Sequence, residues 1–549
     1  MVVLGLSCGV VDDASPPDND HVGETREIAA GPYLNSMTSD EPPRIGGRLV
    51  YGLPAETNSW NPSIANWAAY SMQVARALFD PVYLFDADGN VQNNLVEKVE
   101  HNADHTEWIT TIRPGVKFHN GRTLTAADIV NATNYYRESP VLGGTFHLFA
   151  ITEEVAISER SYRTRTSKPW PTFRQQATHQ LAFIIEPQWL RSSDFAKPIG
   201  TGPFKIETWE PGKRLTVTRN PDYWRRDRWG NTLPYLDRIE FQVITDDQER
   251  ANALKTGKLD IMMQTLTTPD ILTLQADCRN GQLQCFSDVK GETPEDLVVL
   301  NTTKPPLNGL AARRALALAI DRADFVKQLT GGLNEPADSM YSPASPWYSP
   351  TAYPNYDPAE ATRLAEQVKA RNRGTFRFEL LTAPTEDALR VAQYLQAAWK
   401  KVGIDVDVST TDNQKKIIRQ VSGDFQASLT QMFDDAHPAS MTVWLDPAQA
   451  REGGFSMVVS RLNDPEIGHR IETLMRGEPS EIAWRAATAE LVERVNTLIP
   501  FIWLDHAPRT IIARPNVVNV VRATLPEGQP AQDFHLGSHA LSQIWIKPN

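Results

Sequence analysis

Adjacent carboxylates are the first groups in this chain that could carry chemistry. Asp246-Asp247 and Asp434-Asp435 are such pairs, and two carboxyls converging on one bond can serve as acid and base. Successive side chains of a strand point to opposite faces, so neither pair is expected to converge. Two His-x-x-x-His spacings, His101/His105 and His535/His539, invite a metal reading. The first falls in a hairpin-like turn, Asn102-Ala103-Asp104, where this spacing does not put both rings on one helical face, and the second is broken by Gly537. No Gly-x-Ser-x-Gly elbow, phosphate loop or His-Glu-x-x-His helix is present. No catalytic residue, metal site or cofactor is therefore expected, and an extracellular hydrolase stays only as an alternative.

Three cysteines cannot build a disulfide framework or a four-thiolate metal site. Cys278 and Cys285 lie in a polar stretch, either as a pair in an oxidising compartment or as two separate surface thiols. A bridge over so short a loop contributes about 2–3 kcal/mol in the chain-entropy model. Cys8 follows the small apolar run Leu4-Gly5-Leu6-Ser7 and precedes an acidic, Pro-rich stretch to Pro43. The segment resembles the end of a bacterial lipoprotein signal, which implies Cys8 as a lipidated residue on a disordered tether over residues 1–43.

These groups must be positioned by a large folded body. The chain has 549 residues and a formal charge of -12, from 55 Lys+Arg against 67 Asp+Glu, which argues against a nucleic-acid or anionic-lipid partner. Its length suggests about three to four domain-sized units. Beyond the N-terminus there is no apolar run of the roughly 18 residues a spanning helix needs. From Arg44 onward strand and helix patterns alternate, an α/β signature. Phe376, Phe378 and Leu380 alternate at period two; Ala388, Val391, Ala392, Leu395, Trp399 and Val402 recur at helical spacing; Gly403 stops the helix, and Ile404, Val406 and Val408 alternate again. This predicts a β-α-β crossover. Asp357-Pro358-Ala359-Glu360 reads as a helix start with a capping box. Ile239 to Val243 and Leu259 to Met263 read as strands flanking a helix from Asp247 to Lys255. Residues from about 95 to 200 read as an accessory subdomain of hairpins.

The run from Trp108 to Gly121, Trp-Ile-Thr-Thr-Ile-Arg-Pro-Gly-Val-Lys-Phe-His-Asn-Gly, followed by Leu124-Thr125-Ala126-Ala127-Asp128, resembles the signature of family 5 extracytoplasmic solute-binding proteins. Gly200-Thr201-Gly202-Pro203-Phe204, Asn220-Pro221-Asp222-Tyr223-Trp224, the helix from Ala312 to Asp321 and Tyr356-Asp357-Pro358 agree in the same order. Read by themselves, these glycines are turn residues and these aromatics core residues. The resemblance implies a two-lobed, type II periplasmic-binding-protein-like fold of the large three-subdomain variety, with two hinge-crossing strands near Val298–Thr303 and Ile502–His506. Lobe I would be residues 44–302 plus 507–549, including the accessory subdomain, and lobe II residues 303–506. It also implies a monomeric extracytoplasmic receptor, lipid-anchored or periplasmic, that hands oligopeptides to an ABC permease and its ATPase subunits. A receptor for nickel or another solute is the alternative within the family.

The resemblance implies the site residues as well. Asp434 matches an Asp that takes a peptide's α-ammonium, within Gln431-Met432-Phe433-Asp434, where Gln431 replaces the usual Trp and His437 the usual Asp before Pro438. Asn66-Trp67-Ala68 match a loop that meets the peptide main chain, although Trp67 reads equally as a packed aromatic. Arg419 matches a cation for the peptide's C-terminal carboxylate. Thr382 stands where dipeptide receptors carry an Arg, which disfavours a dipeptide specialist.

Overall fold

The computed structural model describes residues 42–548 apart from 58, 64–66, 140–141, 179, 193–195, 265–268, 288–293, 433–436 and 451–453. Cys8, Asn66, Phe433 and Asp434 therefore lie outside the described residues.

Local patterns become elements where the spacing places them. Strands Arg377–Thr382 and Asp405–Thr410 pair in parallel, with Phe378 opposite Val406 and Leu380 opposite Val408. The helix Glu386–Lys401 between them buries Ala392, Leu395 and Trp399, and Trp399 Nε1 donates to Leu316 O (3.1 Å). Gly403 ends this unit at φ 80°, a left-handed conformation suited to glycine. Asp357 caps its helix, accepting from Glu360 N (3.0 Å), but Glu360 pairs with Arg363 (2.7 Å) instead of closing a capping box. Asp246 and Asp247 are not in a strand. Asp246 caps the Asp247–Lys255 helix by accepting from Glu249 N (2.6 Å), and Asp247 pairs with the buried Arg250. Cys278 and Cys285 are joined by a disulfide that ties the Pro269–Arg279 helix to the Gln284–Ser287 strand.

Two large sheets organise the chain. The first runs, in spatial order, Gln284–Ser287, Thr510–Ala513, Ile261–Gln264, Arg48–Leu53, Arg238–Val243, Arg214–Arg219 and Phe204–Glu210. The second runs Glu335–Pro336, Phe501–His506, Glu295–Leu300, Ala427–Met432, Arg377–Thr382 and Asp405–Thr410. Two chain segments are neighbours in both. Ser287 opposes Thr510 in the first sheet, Glu295 opposes His506 in the second, and between them Ala507 N donates to Pro294 O (3.0 Å). The chain thus passes between the sheets after Ser287 and before Glu295, and again after His506 and before Thr510. Glu295–Leu300 and Phe501–His506 both belong to the second sheet, so the first crossing precedes the expected Val298–Thr303 and the second follows the expected Ile502–His506.

A third, antiparallel sheet, ordered Val96–His101, Glu107–Ile112, Ser161–Thr166 and Ile151–Ala156, forms the accessory subdomain. Its chain connects to the first large sheet, yet its aromatic side packs on the second. Trp108, Phe149, Trp170 and Phe173 share one apolar cluster with Met441, Ile471 and Met475. Lys168–Glu472 (3.0 Å), His147–Asp446 (2.9 Å) and Arg476 to Pro169 O (3.0 Å) reinforce the contact.

The signature glycines divide by physical role. Gly115 and Gly121 sit at φ 74° and 86° with open space around them, as turn residues do. Gly202 is needed for close approach instead. A Cβ there would lie 2.6 Å from both Leu78 O and Phe79 N. Gly202→Ala should therefore lower stability by about 3 kcal/mol or more, whereas Gly115→Asn should cost under about 1 kcal/mol, because Asn tolerates the left-handed region. Denaturation midpoints of the two variants check this; equal losses would remove the distinction.

Candidate functional site

The floor between the two large sheets is polar where strands would ordinarily be apolar. Across the second sheet, Gln431, Asp296 and Asp505 occupy one row of opposed residues, and Met432, Glu295 and His506 the next. Register slips between Asp296 and Leu297, so Leu504 is the extra residue of a bulge. Such a bulge twists the strand locally and re-aims the side chains beside it.

Hydrogen bonds hold the two rows in different ways. Asn334 Nδ2 donates to Asp505 Oδ2 (2.7 Å). Burial pushes His506 down to about 3, so its ring is neutral. Nδ1–H then donates to Glu295 Oε1 (3.0 Å). Asp505, 1% exposed, is raised well above the usual carboxylate range by burial and by the neighbouring Asp296. Burial lifts Asp296 to about 6, with Gln431, Asp505, Arg509 and Lys416 opposing. Both carboxyls therefore hold protons more tightly than free ones. Like carboxyls this close do not ionise together in a desolvated place.

Groups from the other side reach this floor. Tyr70, on the Ala69–Leu78 helix that packs against the first sheet, lies near the Asn413 side chain. Asn413 starts the Asn413–Ser422 helix beside the second sheet, so this contact spans the two halves. The buried Arg509, in the second crossing segment, lies within electrostatic reach of both Tyr70 and Asp296.

The expected site residues are not all brought here. Gln431 and Met432, both half-buried, end their strand at the floor, immediately before 433–436. Trp67 is a packed aromatic: it is 5% exposed, stacks on Phe79 (5.7 Å, 3°) and donates from Nε1 to Ser59 O (3.1 Å). Ala68 is exposed at the start of the Ala69–Leu78 helix. Arg419 forms hydrogen bonds to both Glu379 oxygens (3.3 and 3.0 Å) and a further ion pair to Asp424 (3.4 Å), so its charge is already compensated. Thr382 is fully buried. His437 replaces a capping carboxylate in kind: Nδ1 accepts from Ala439 N (3.2 Å) at the head of the Pro438–Met441 turn. Its ring packs edge-on against Trp484 (4.7 Å) and Trp347 (5.2 Å).

The histidine pairs also resolve. His101 and His105 do come together, against the expectation from their turn, but as stacked rings 4.3 Å apart beside Trp108. In-plane lone pairs of stacked rings do not point at a common ion. His535 and His539 are buried, with Nε2 of each bonded to Thr178 O (2.9 Å) and Tyr51 OH (3.0 Å). Among the described residues no three metal-ligating side chains cluster.

Residues 90–451 match the family model described as bacterial extracellular solute-binding proteins, family 5 Middle. The chain belongs to this family. Its relatives include the nickel-binding periplasmic protein of Escherichia coli K12, 24% identical over 510 residues, covering 88% of this chain and 93% of that protein. The glutathione-binding protein GsiB of Salmonella typhi is 25% identical over 403 residues, 71% of this chain and 73% of that one. The fold matches the periplasmic binding protein DppA of Helicobacter pylori, solved with the peptide STSA, at TM-score 0.80 and 18% identity, over 92% of this chain and 99% of that one. The fold is thus the type II periplasmic-binding-protein fold, and the polar floor of this family 5 protein lies between its two halves. No described helix is long and apolar enough to cross a membrane.

The paired carboxyls set a pH dependence whose sign is fixed. Both have folded-state affinities for protons above those of the unfolded chain. The native state therefore keeps protons that the unfolded chain releases, and stability falls as pH rises from about 4 through 6. Asp505→Asn preserves the acceptor for Asn334 and offers Asp296 a permanent donor. It should flatten this fall and raise the unfolding midpoint at pH 7 by about one or two degrees. Thermal scans from pH 4 to 8 check this; a midpoint several degrees lower at pH 7 would show that Asp505 is needed ionised.

Proposed function

We propose that this protein is the substrate-binding receptor of an ABC importer, capturing oligopeptides between its two halves and releasing them unaltered to a membrane permease. The carrying observation is the double strap. Two segments run side by side into both sheets, so a rotation of the halves between them would break neither sheet. A half-buried polar floor lies directly against those straps, where closure would desolvate a guest. ATP hydrolysis belongs to partner subunits, and the receptor itself makes and breaks no bond. Lipid attachment at Cys8 would hold a monomeric receptor near its permease and raise its effective concentration there.

The peptide reading draws on Asp434. The Ala427–Met432 strand, which ends at the floor, leads in sequence directly to Asp434, an acid suited to an α-ammonium. A nickel complex is the second reading, because a relative sharing 24% identity over most of this chain is nickel-binding. Mass spectrometry of solute released from the purified protein on denaturation separates the two. Peptides should be recovered, and a nickel chelate in their place would overturn the peptide reading. Asp434→Ala should weaken binding of free-amine peptides by roughly 2–5 kcal/mol and leave N-acetylated peptides little changed. Calorimetry on both peptide sets decides this, and an equal loss would refute the ammonium role.

A further inference from the structure

Asp446 is a buried carboxylate on the second half. Its Oδ1 accepts from Ala448 N (3.1 Å) and its Oδ2 from Gln449 Nε2 (3.1 Å), which fixes the group at the head of the Pro447–Gln449 turn. The cation beside it comes from the accessory subdomain, where His147 Nε2 lies 2.9 Å from Oδ2. The other ring nitrogen, Nδ1, lies 2.6 Å from Gly144 O. A backbone carbonyl and a carboxylate only accept, so a ring that serves both must carry two protons. Neutral imidazole has one N–H, and its lone pair would then point at an oxygen. The contact belongs to the imidazolium, and the bond to Asp446 accordingly raises His147 above its ordinary value of 6.5.

We propose that His147 and Asp446 form an acid-strengthened clasp between the accessory subdomain and the second half, one that loosens as the surroundings turn mildly alkaline. It goes beyond the receptor reading and does not depend on which solute is carried. The Gly143–Phe149 segment that bears His147 also sends Phe149 into the shared apolar cluster, and Arg476, on the Pro465–Arg476 helix, donates to Leu148 O and Pro169 O. His147 thus sits inside the join. From that helix Glu472 also faces the ring, itself held by Lys168 (3.0 Å) and near Arg476 (3.6 Å), and His469 stands one turn before it. From the Ala126–Arg137 helix, Arg137 covers Phe146 and pairs with Glu154 (3.6 Å). Loss of the ring proton makes one oxygen contact repulsive and leaves Asp446 buried beside a neutral group. Because the folded contact holds the proton more tightly than a free ring does, the clasp is at full strength below about pH 6.5 and fades as pH rises through the raised value. The His147 side chain is 46% exposed, so screening limits the effect to a roughly two- to fivefold change in opening.

Hydrogen exchange of the whole chain with no solute added, read by mass spectrometry and corrected for intrinsic pH dependence, tests the clasp. Ala150 N and Gln449 N report on the pair itself; Phe173 N, Gln176 N and Gly477 N report on the rest of the join; the Glu295–Leu300 strand is the reference. Between about pH 6 and 8 both sets should lose protection roughly two- to fivefold relative to the reference. In His147→Gln the loss should be present throughout and its pH dependence gone. His147→Lys, whose ammonium stays charged over this range, should remain protected at both ends. An unchanged pH dependence in His147→Gln, or a His147→Lys protein that follows wild type, would overturn the proposal. So would a response confined to Ala150 and Gln449, because the pair would then be local and would not fasten the halves. Since no solute enters the measurement, failure of the peptide reading leaves its outcome standing.

Discussion

The side-by-side passage of two chain segments through both large sheets is the constraint on which the remaining architecture depends. Glu295–Leu300 pairs with Phe501–His506 in one sheet, and Gln284–Ser287 pairs with Thr510–Ala513 in the other. A single crossing would allow the halves to swivel freely. Two crossings bonded to each other, Ala507 N to Pro294 O, tie the halves together along one line. Because the straps enter the second sheet next to its bulge, residues that follow them sit at the base of the cleft. Asp296 and Asp505 are there for topological reasons as much as chemical ones.

That placement explains why the charges are arranged as they are. Two carboxyls in register on neighbouring strands would be costly if both were ionised, so both are shifted upward, and Asp505 is fixed by Asn334. His506 is stripped of its charge by the same burial and becomes a neutral donor to Glu295. Desolvation therefore raises the proton affinity of both carboxyls and removes the charge of His506 at one stroke.

Much of this was legible in the residues. Period-two and helical spacings placed the strand-helix-strand unit from Arg377 to Thr410 and the Asp247–Lys255 helix to within a residue or two. Those signals are local, and so is the cap at Asp357. The floor was not legible, since opposed positions such as Gln431, Asp296 and Asp505 are separated by more than seventy residues each. Nothing in a linear pattern says that three polar residues on strands should meet. Gly202 was misread for the same reason: its φ is unremarkable, and only the backbone of Leu78 and Phe79 demands the missing side chain. Arg419 was chosen by alignment, but whether a cation is free depends on Glu379 and Asp424, which approach from another strand and from the following turn. His437 shows the reverse case, a departure from the family pattern that keeps the physics, since an imidazole nitrogen accepts at the N-cap as a carboxylate would.

The accessory sheet bears on how the halves move. Its chain leaves and rejoins the first half, but its aromatic residues Trp108, Phe149, Trp170 and Phe173 lie in the core of the second. Separating these surfaces would expose several large rings, each worth roughly 1.5–3 kcal/mol of burial, and would break the Lys168–Glu472 and His147–Asp446 pairs. The approach of Tyr70 to Asn413 is a slight contact by comparison. The accessory sheet is therefore bound to the second half far more firmly than the Ala69–Leu78 helix is to the Asn413–Ser422 helix, so the chain's own connection of that sheet to the first half does not decide which half it packs with.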